Sequence, residues 1–236
     1  MQKLFYSTLS FVFAALLIFI LLITSFEAVC YWTPGYYKKE FRKYNVAGAI
    51  ETWTGDRIPE ASLDDVIRQT MSYLRGNRKN LIVETEINGT TAEFYNENEK
   101  SHMADVRDLF VFCITLRSLS VLTCLAIAGL LTVLLGARQA VFHLCRGYTR
   151  VCALILAVSA AVGLCAVINF DKAFSTFHEI FFSQGNWMFD PRESRMIDML
   201  PEAFFSDTAL YVFLLFLAAV LLLLLPAVLR TRRRLP

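Results

Sequence analysis

The chain has 236 residues, of which 56% are hydrophobic, 20 are phenylalanine and only 19% are charged. A water-soluble domain of this length is about one-quarter charged, so the composition does not fit an ordinary soluble enzyme. The formal net charge of +2 is too small to point to nucleic acid.

The apolar residues collect in four runs, Leu4 to Phe26, Leu109 to Leu135, Val151 to Phe170 and Ala209 to Leu229. Each approaches the ~20 residues that a helix needs to cross the hydrocarbon core. The expected fold is therefore an α-helical integral membrane protein with four transmembrane helices. In chain order it divides into a first span over 4–26, an extracytoplasmic α+β domain over 27–108 and a second span over 109–135. A cytoplasmic loop over 136–150, a third span over 151–170, an extracytoplasmic interfacial segment over 171–208, a fourth span over 209–229 and a basic tail over 230–236 follow. The first run is longer than the roughly 7–15 residues of a secretory h-region and no clear small-x-small cleavage site follows it. It is expected to be an uncleaved helix.

Charge sets the expected orientation. Lys3, Arg138, Arg146, Arg150, Arg230, Arg232, Arg233 and Arg234 occupy the segments at one side with no acidic residue among them. All 21 acidic residues fall in 27–108 and 171–208. The positive-inside rule puts both termini in the cytoplasm of a multi-pass cell-membrane protein. The six cysteines form no CxxC pair and lie mostly in or beside the spans, so neither a disulfide framework nor a structural zinc site is implied.

The first outward segment opens with Tyr31, Trp32, Tyr36 and Tyr37, which suit an aromatic belt at headgroup level. Ser62 to Leu74 reads as a helix with Ser62 as N-cap and an apolar stripe of Val66, Ile67, Met71 and Leu74. Leu81 to Ile87 and Thr90 to Tyr95 alternate as strands about Asn88-Gly89, a strong hairpin signal. Asn88-Gly89-Thr90 is also a glycosylation acceptor, but the turn explains it. In the second outward segment Phe174, Phe177, Phe181 and Phe182 recur at helical spacing, followed by Trp187. A helix lying in the interface is expected, with Asp171, Phe174, His178, Phe181 and Phe182 on one face.

Only three histidines occur, and two of them, His102 and His178, stand at the same membrane boundary. Imidazole is the side chain that takes and returns a proton near neutral pH. His102 and Asp105 are three residues apart and can touch on a helix. The spacing leaves open whether Asp105 orients a catalytic imidazole or His102 is a helix-start residue bonded at the surface. His178 sits on an apolar face, where a polar ring needs a partner or a task. Arg117 lies about eight residues into the second span, a costly depth for a charge. It is expected to pair with Asp171 or Asp108, or to bind an anionic group or a developing oxyanion. Cys30 is expected to pack. No HExxH, GxSxG or P-loop occurs, and the histidines with Asp105 and Glu179 have no known metal-ligand spacing.

His102-Met103-Ala104-Asp105-Val106 before a span, and Phe177-His178-Glu179-Ile180-Phe181-Phe182 followed by Trp187, Asp190-Pro191 and Leu200-Pro201, resemble a bacterial integral membrane family that includes the lipoprotein intramolecular transacylase. The resemblance covers nearly the whole chain. It implies transfer of the sn-2 acyl chain of an S-diacylglyceryl group to the α-amine of the N-terminal cysteine of the same lipoprotein. It implies no cofactor, membrane lipid and a diacylglyceryl lipoprotein as partners, and catalysis by His102 and His178. On that reading His102 is the base, oriented by Asp105, and His178 donates to the oxyanion or shuttles a proton. Arg117 and Asp171 support the site, and Phe174, Phe181, Phe182 and Trp187 hold acyl chains. The competing expectations are a non-catalytic membrane assembly or transport accessory, a metal-dependent membrane hydrolase, and acyl transfer through Cys30.

Overall fold

The computed structural model describes residues 1–182 and 185–232; Arg233 and Arg234 of the basic tail lie outside the described residues. In chain order the elements are α1 (Gln2–Glu27), a π-helical turn (Ala28–Trp32), α2 (Tyr36–Lys43), α3 (Val46–Thr54) and α4 (Glu60–Leu74). Then come β1 (Glu84–Ile87), β2 (Thr90–Glu93), α5 (Glu97–Leu135), α6 (Ala137–Ile168), α7 (Phe170–Phe181), α8 (Arg195–Met199) and α9 (Glu202–Arg232). Four of these, α1 with its π turn, α5, α6 and α9, are long and apolar enough to cross a membrane. At ~1.5 Å per residue, the 39 residues of α5 exceed any bilayer core. Its polar first turns, which hold His102, therefore precede the apolar run that begins at Leu109.

The chain forms two units. One comprises Met1–Ala28, Cys113–Ile168 and the chain from Leu210 onward. Here α1 and α6 approach so closely that a side chain at Gly147 would strike the Ser10 backbone at 2.3 Å. Small residues allow such contact where no water drives helices together. The Tyr148 hydroxyl donates to the Val220 carbonyl at 3.0 Å, and Ala14, Ile18, Val151, Phe216 and Val220 fill the space between. Arg117 forms an ion pair with the buried Glu27. The expected structural pairing is present, but the partner is neither Asp171 nor Asp108. Glu27 ends α1 and offers a carboxylate at the depth of Arg117, where sequence proximity gave no hint of it.

The other unit, Val29–Phe112 with Asn169–Ala209, has a core of α2, α3 and α4 side chains closed by the hairpin and by α8. Phe41, Ile50, Leu63, Val66, Val83, Phe94, Met103 and Met199 are buried in it. The hairpin pairs Glu84 with Glu93 and Ile87 with Thr90. Asn88 and Gly89 both take positive φ, as the tight hairpin turn requires. Leu81, Val83, Thr85 and Ile87 point inward in strict alternation. The regular ladder is shorter than the expected strands, although Phe94 N–H still donates to the Val83 carbonyl at 2.8 Å. Helix α4 starts earlier than expected. Pro59 holds the extended N-cap conformation and accepts from the Ser62 and Leu63 N–H groups, so Ser62 is already inside the helix. Tyr36 and Tyr37 are likewise not an exposed belt: the Tyr36 hydroxyl meets Thr208 at 2.6 Å and Tyr37 stacks on Phe204.

Candidate active site

Two helices bring the histidines together. Asn96 starts α5 with a capping box: its side chain accepts from Glu99 N–H at 2.9 Å, and Glu99 accepts in return from Asn96 N–H at 2.7 Å. One turn on, His102 faces inward. Asn169 caps α7 by accepting from Lys172 N–H, and two turns later His178 faces the same interior. The two imidazoles lie with ring centroids 5.9 Å apart and planes 30° from parallel. Both are buried, His102 at 6% and His178 at 8% exposure.

Aromatic rings wall this pair. Phe174 lies 4.2 Å and Trp187 4.9 Å from the His178 ring. Phe182 touches both histidines, at 5.1 Å from His102 and 5.4 Å from His178. Phe189 approaches His102 edge-on at 5.8 Å. Phe181 departs from the expected shared face. It is 52% exposed and pairs with the exposed Phe177 at 4.8 Å, because the helix ends there and Phe182 alone turns inward. Asp171 is exposed in the first turn of α7, with Glu202 as its side-chain neighbour, so it does not reach the histidines.

The polar contacts set the chemistry of each ring. His178 Nδ1 lies 2.8 Å from the Phe174 carbonyl oxygen. That oxygen can only accept, so Nδ1 carries the proton and Nε2 holds a lone pair. Burial pushes the His178 pKa below the usual imidazole value, against the carbonyl bond. Burial and the neighbouring His178 push His102 down to about 4, opposed by Asp105 and Asn186. Both rings are thus neutral at pH 7. Asp105 does not hydrogen-bond His102 directly among the described residues. It accepts from Asn186 Nδ2 at 3.0 Å, and the same amide donates to Ser101 Oγ at 3.3 Å.

The loop carrying Asn186, Trp187 and Phe189 is tied to α5 by Glu99. Its Oε1 accepts from Ser194 Oγ at 2.6 Å and Met196 N–H at 2.9 Å. Asn186, Phe189 and Glu99 were missed as site residues by the sequence reading. The Asn96-x-x-Glu99 capping spacing was a legible signal for Glu99; nothing local marks Asn186 or Phe189. Cys30 is buried with Tyr37 as its hydrogen-bonding neighbour, a packing environment. Among the described residues no group of three or more His, Cys, Asp or Glu side chains could hold a metal ion.

A family model for the lipoprotein intramolecular transacylase Lit matches residues 11–205 of this chain. The chain belongs to the Lit family. It is an acyltransferase that moves an acyl chain within a lipoprotein, and it is a multi-pass membrane protein. Three solved structures of the membrane integral lipoprotein intramolecular transacylase Lit from Bacillus cereus share the fold at 19% identity. The first superposes with a TM-score of 0.75 over 99% of each chain. The other two carry a histidine replaced by arginine or by alanine, with TM-scores of 0.72 over 99% of this chain and 95% and 96% of theirs. A search among curated proteins finds no match.

Proposed function

We propose that His102 and His178 carry the transfer of the sn-2 acyl chain from the S-diacylglyceryl group to the α-amine of the N-terminal cysteine, leaving the lyso form. The observation that carries this reading is the pair of neutral, facing imidazoles, one with its tautomer fixed by the Phe174 carbonyl. Ester-to-amide transfer runs downhill and needs no external acyl donor. Donor and acceptor share one molecule, so holding them in attack geometry supplies much of the acceleration, ~7–11 kcal/mol in well-oriented intramolecular reactions.

The proton inventory requires two acceptors. The amine arrives as ammonium, and forming the amide removes two protons from nitrogen. His178 Nε2 takes the first, freeing the nitrogen lone pair to attack the ester carbonyl. The resulting imidazolium donates toward the developing oxyanion. His102 takes the second proton from the tetrahedral adduct. As the glycerol C–O bond breaks, His178 returns its proton to the glycerol oxygen, and His102 releases its proton to water. The Phe174 bond thus favours His178 as the first base, the reverse of the expectation from sequence.

Phe174, Phe182 and Trp187 line the reacting groups, while Phe177 and Phe181 meet the surrounding lipid acyl chains. With spans over 4–26, 109–135, 151–170 and 209–229, both termini lie in the cytoplasm and the histidines at the outer face. The one-sided distribution of Lys3, Arg138, Arg146, Arg150, Arg230 and Arg232 supports this orientation. Arg117, paired with Glu27, holds the span rather than the substrate. The test is expression in bacteria whose lipoproteins keep a free α-amine, followed by tandem mass spectrometry of an N-terminal lipopeptide. An N-acyl group with a monoacylglyceryl thioether is expected, and His102→Ala and His178→Ala should each abolish it. A free amine beside well-expressed protein would refute the reading.

A further inference from the structure

Two buried polar atoms at the histidine pair are left without a hydrogen bond among the described residues: His102 Nδ1 and Asn186 Oδ1. Buried polar groups are nearly always paired, so two unsatisfied atoms on adjacent side chains need a physical account. The Asn186 side chain is the polar neighbour of His102 and acts to raise its pKa. The other end of its amide is fixed. Nδ2 donates to Asp105 Oδ2 at 3.0 Å and to Ser101 Oγ at 3.3 Å, which uses both amide hydrogens. Only Oδ1 is free, and an amide oxygen can only accept.

We propose that Asn186 is a positioning residue that relays the Asp105 carboxylate to His102, accepting a hydrogen bond from His102 Nδ1–H while donating to Asp105. This rests on the function proposed above. The relay fixes the His102 tautomer, as the Phe174 carbonyl does for His178, and leaves Nε2 as the lone pair on both rings. It also stabilises the His102 imidazolium that forms when the second proton leaves nitrogen. A direct carboxylate contact would also orient the ring but would raise its pKa further. The intervening amide polarises His102 without placing a full charge on it, which suits a group that must start neutral. The titratable groups facing His102 are Asp105 from its own helix and His178 from α7. The starts of α5 and α7 do not depend on Asn186, because both helices carry their own caps.

The experiment uses the full chain in lipid with a synthetic S-dipalmitoylglyceryl-cysteinyl peptide, product being read by tandem mass spectrometry across pH. Asn186→Ala should lower kcat about 10–100-fold, as loss of an orienting partner typically does, with KM little changed. The exchanged pair Asp105→Asn with Asn186→Asp rebuilds the same bonds with the carboxylate next to His102. It should recover most of the lost kcat and move the acid limb of the profile upward. Asp105→Asn alone, which keeps shape, should move that limb downward. Wild-type kcat in Asn186→Ala, or an exchanged pair no better than Asn186→Ala with an unmoved acid limb, would overturn the relay. His102→Ala is run in parallel: activity there sinks the two-histidine reading itself, whereas an inactive His102→Ala beside a fully active Asn186→Ala sinks only the relay.

Discussion

Glu99 offers the sharpest test of how the site loop is held. Its carboxylate is 1% exposed and accepts three hydrogen bonds, from Asn96 N–H, Ser194 Oγ and Met196 N–H. Glu99→Gln preserves shape but replaces one acceptor oxygen with a donor. Whichever way the amide lies, one backbone N–H loses its acceptor. A bond to a charged acceptor is worth ~1.5–3 kcal/mol and a stranded buried donor ~1–3 kcal/mol, overlapping quantities that together give about 2–4 kcal/mol. For a protein of this size that corresponds to a drop of about 4–16 °C in apparent melting temperature. The assay is thermal unfolding in detergent at one fixed scan rate, since unfolding of such proteins is rarely reversible.

Asp198 adds a sign that a generic destabilisation lacks. Burial first, and then the Glu99 charge, hold its carboxyl up to about 6, above the unfolded value of ~3.9. A raised carboxyl pKa means the folded state binds the extra proton, so this contribution to stability is lost as pH rises through about 6. At pH 7 wild-type Glu99 repels an ionised Asp198, and Glu99→Gln relieves that repulsion. At pH 5 Asp198 is protonated and there is nothing to relieve. The deficit of Glu99→Gln should therefore be larger at pH 5 than at pH 7. A variant melting within about 1 °C of wild type at both pH values would mean the clamp does not hold the loop, since even ~1 kcal/mol moves the midpoint by ~2–4 °C.

Two further outcomes concern the histidines. Because both imidazole pKa values lie below the usual ~6.5, with His102 near 4, the acid limb of kcat/KM should fall below 6.5 and steepen toward pH 4; a half-loss at or above 6.5 would contradict the buried, neutral pair. Phe182→Ala removes the buried ring that touches both histidines, costing about 3–5 kcal/mol as large-to-small core changes do, and it should shift that acid limb upward by admitting water, which a pH–rate series on folded variant would reveal.

Four spans, the Asn88-Gly89 hairpin, the helix ending at Leu74 and an apolar helix carrying His178 were all legible in the sequence. Each rests on a local rule: apolar length, turn chemistry or a 3.6-residue period acts within a few neighbouring residues. The histidines stood out for a similar reason, as two of only three imidazoles in the chain. What could not be read was pairing across long sequence distances. Glu27 meets Arg117, Asn186 meets Asp105, and Glu99 holds Met196, separations that no helical period spans. The direction in which Phe181 and Phe182 point was decided by where α7 ends, and the end of a helix is set by what packs beyond it. The sequence alone thus determined a four-span membrane protein with two histidines at one boundary, because hydrophobic length and residue chemistry are local properties. Tertiary structure alone decided that the rings face each other, which tautomer the Phe174 carbonyl imposes on His178, and that an amide stands between Asp105 and His102. Those depend on burial and on partners supplied by distant segments.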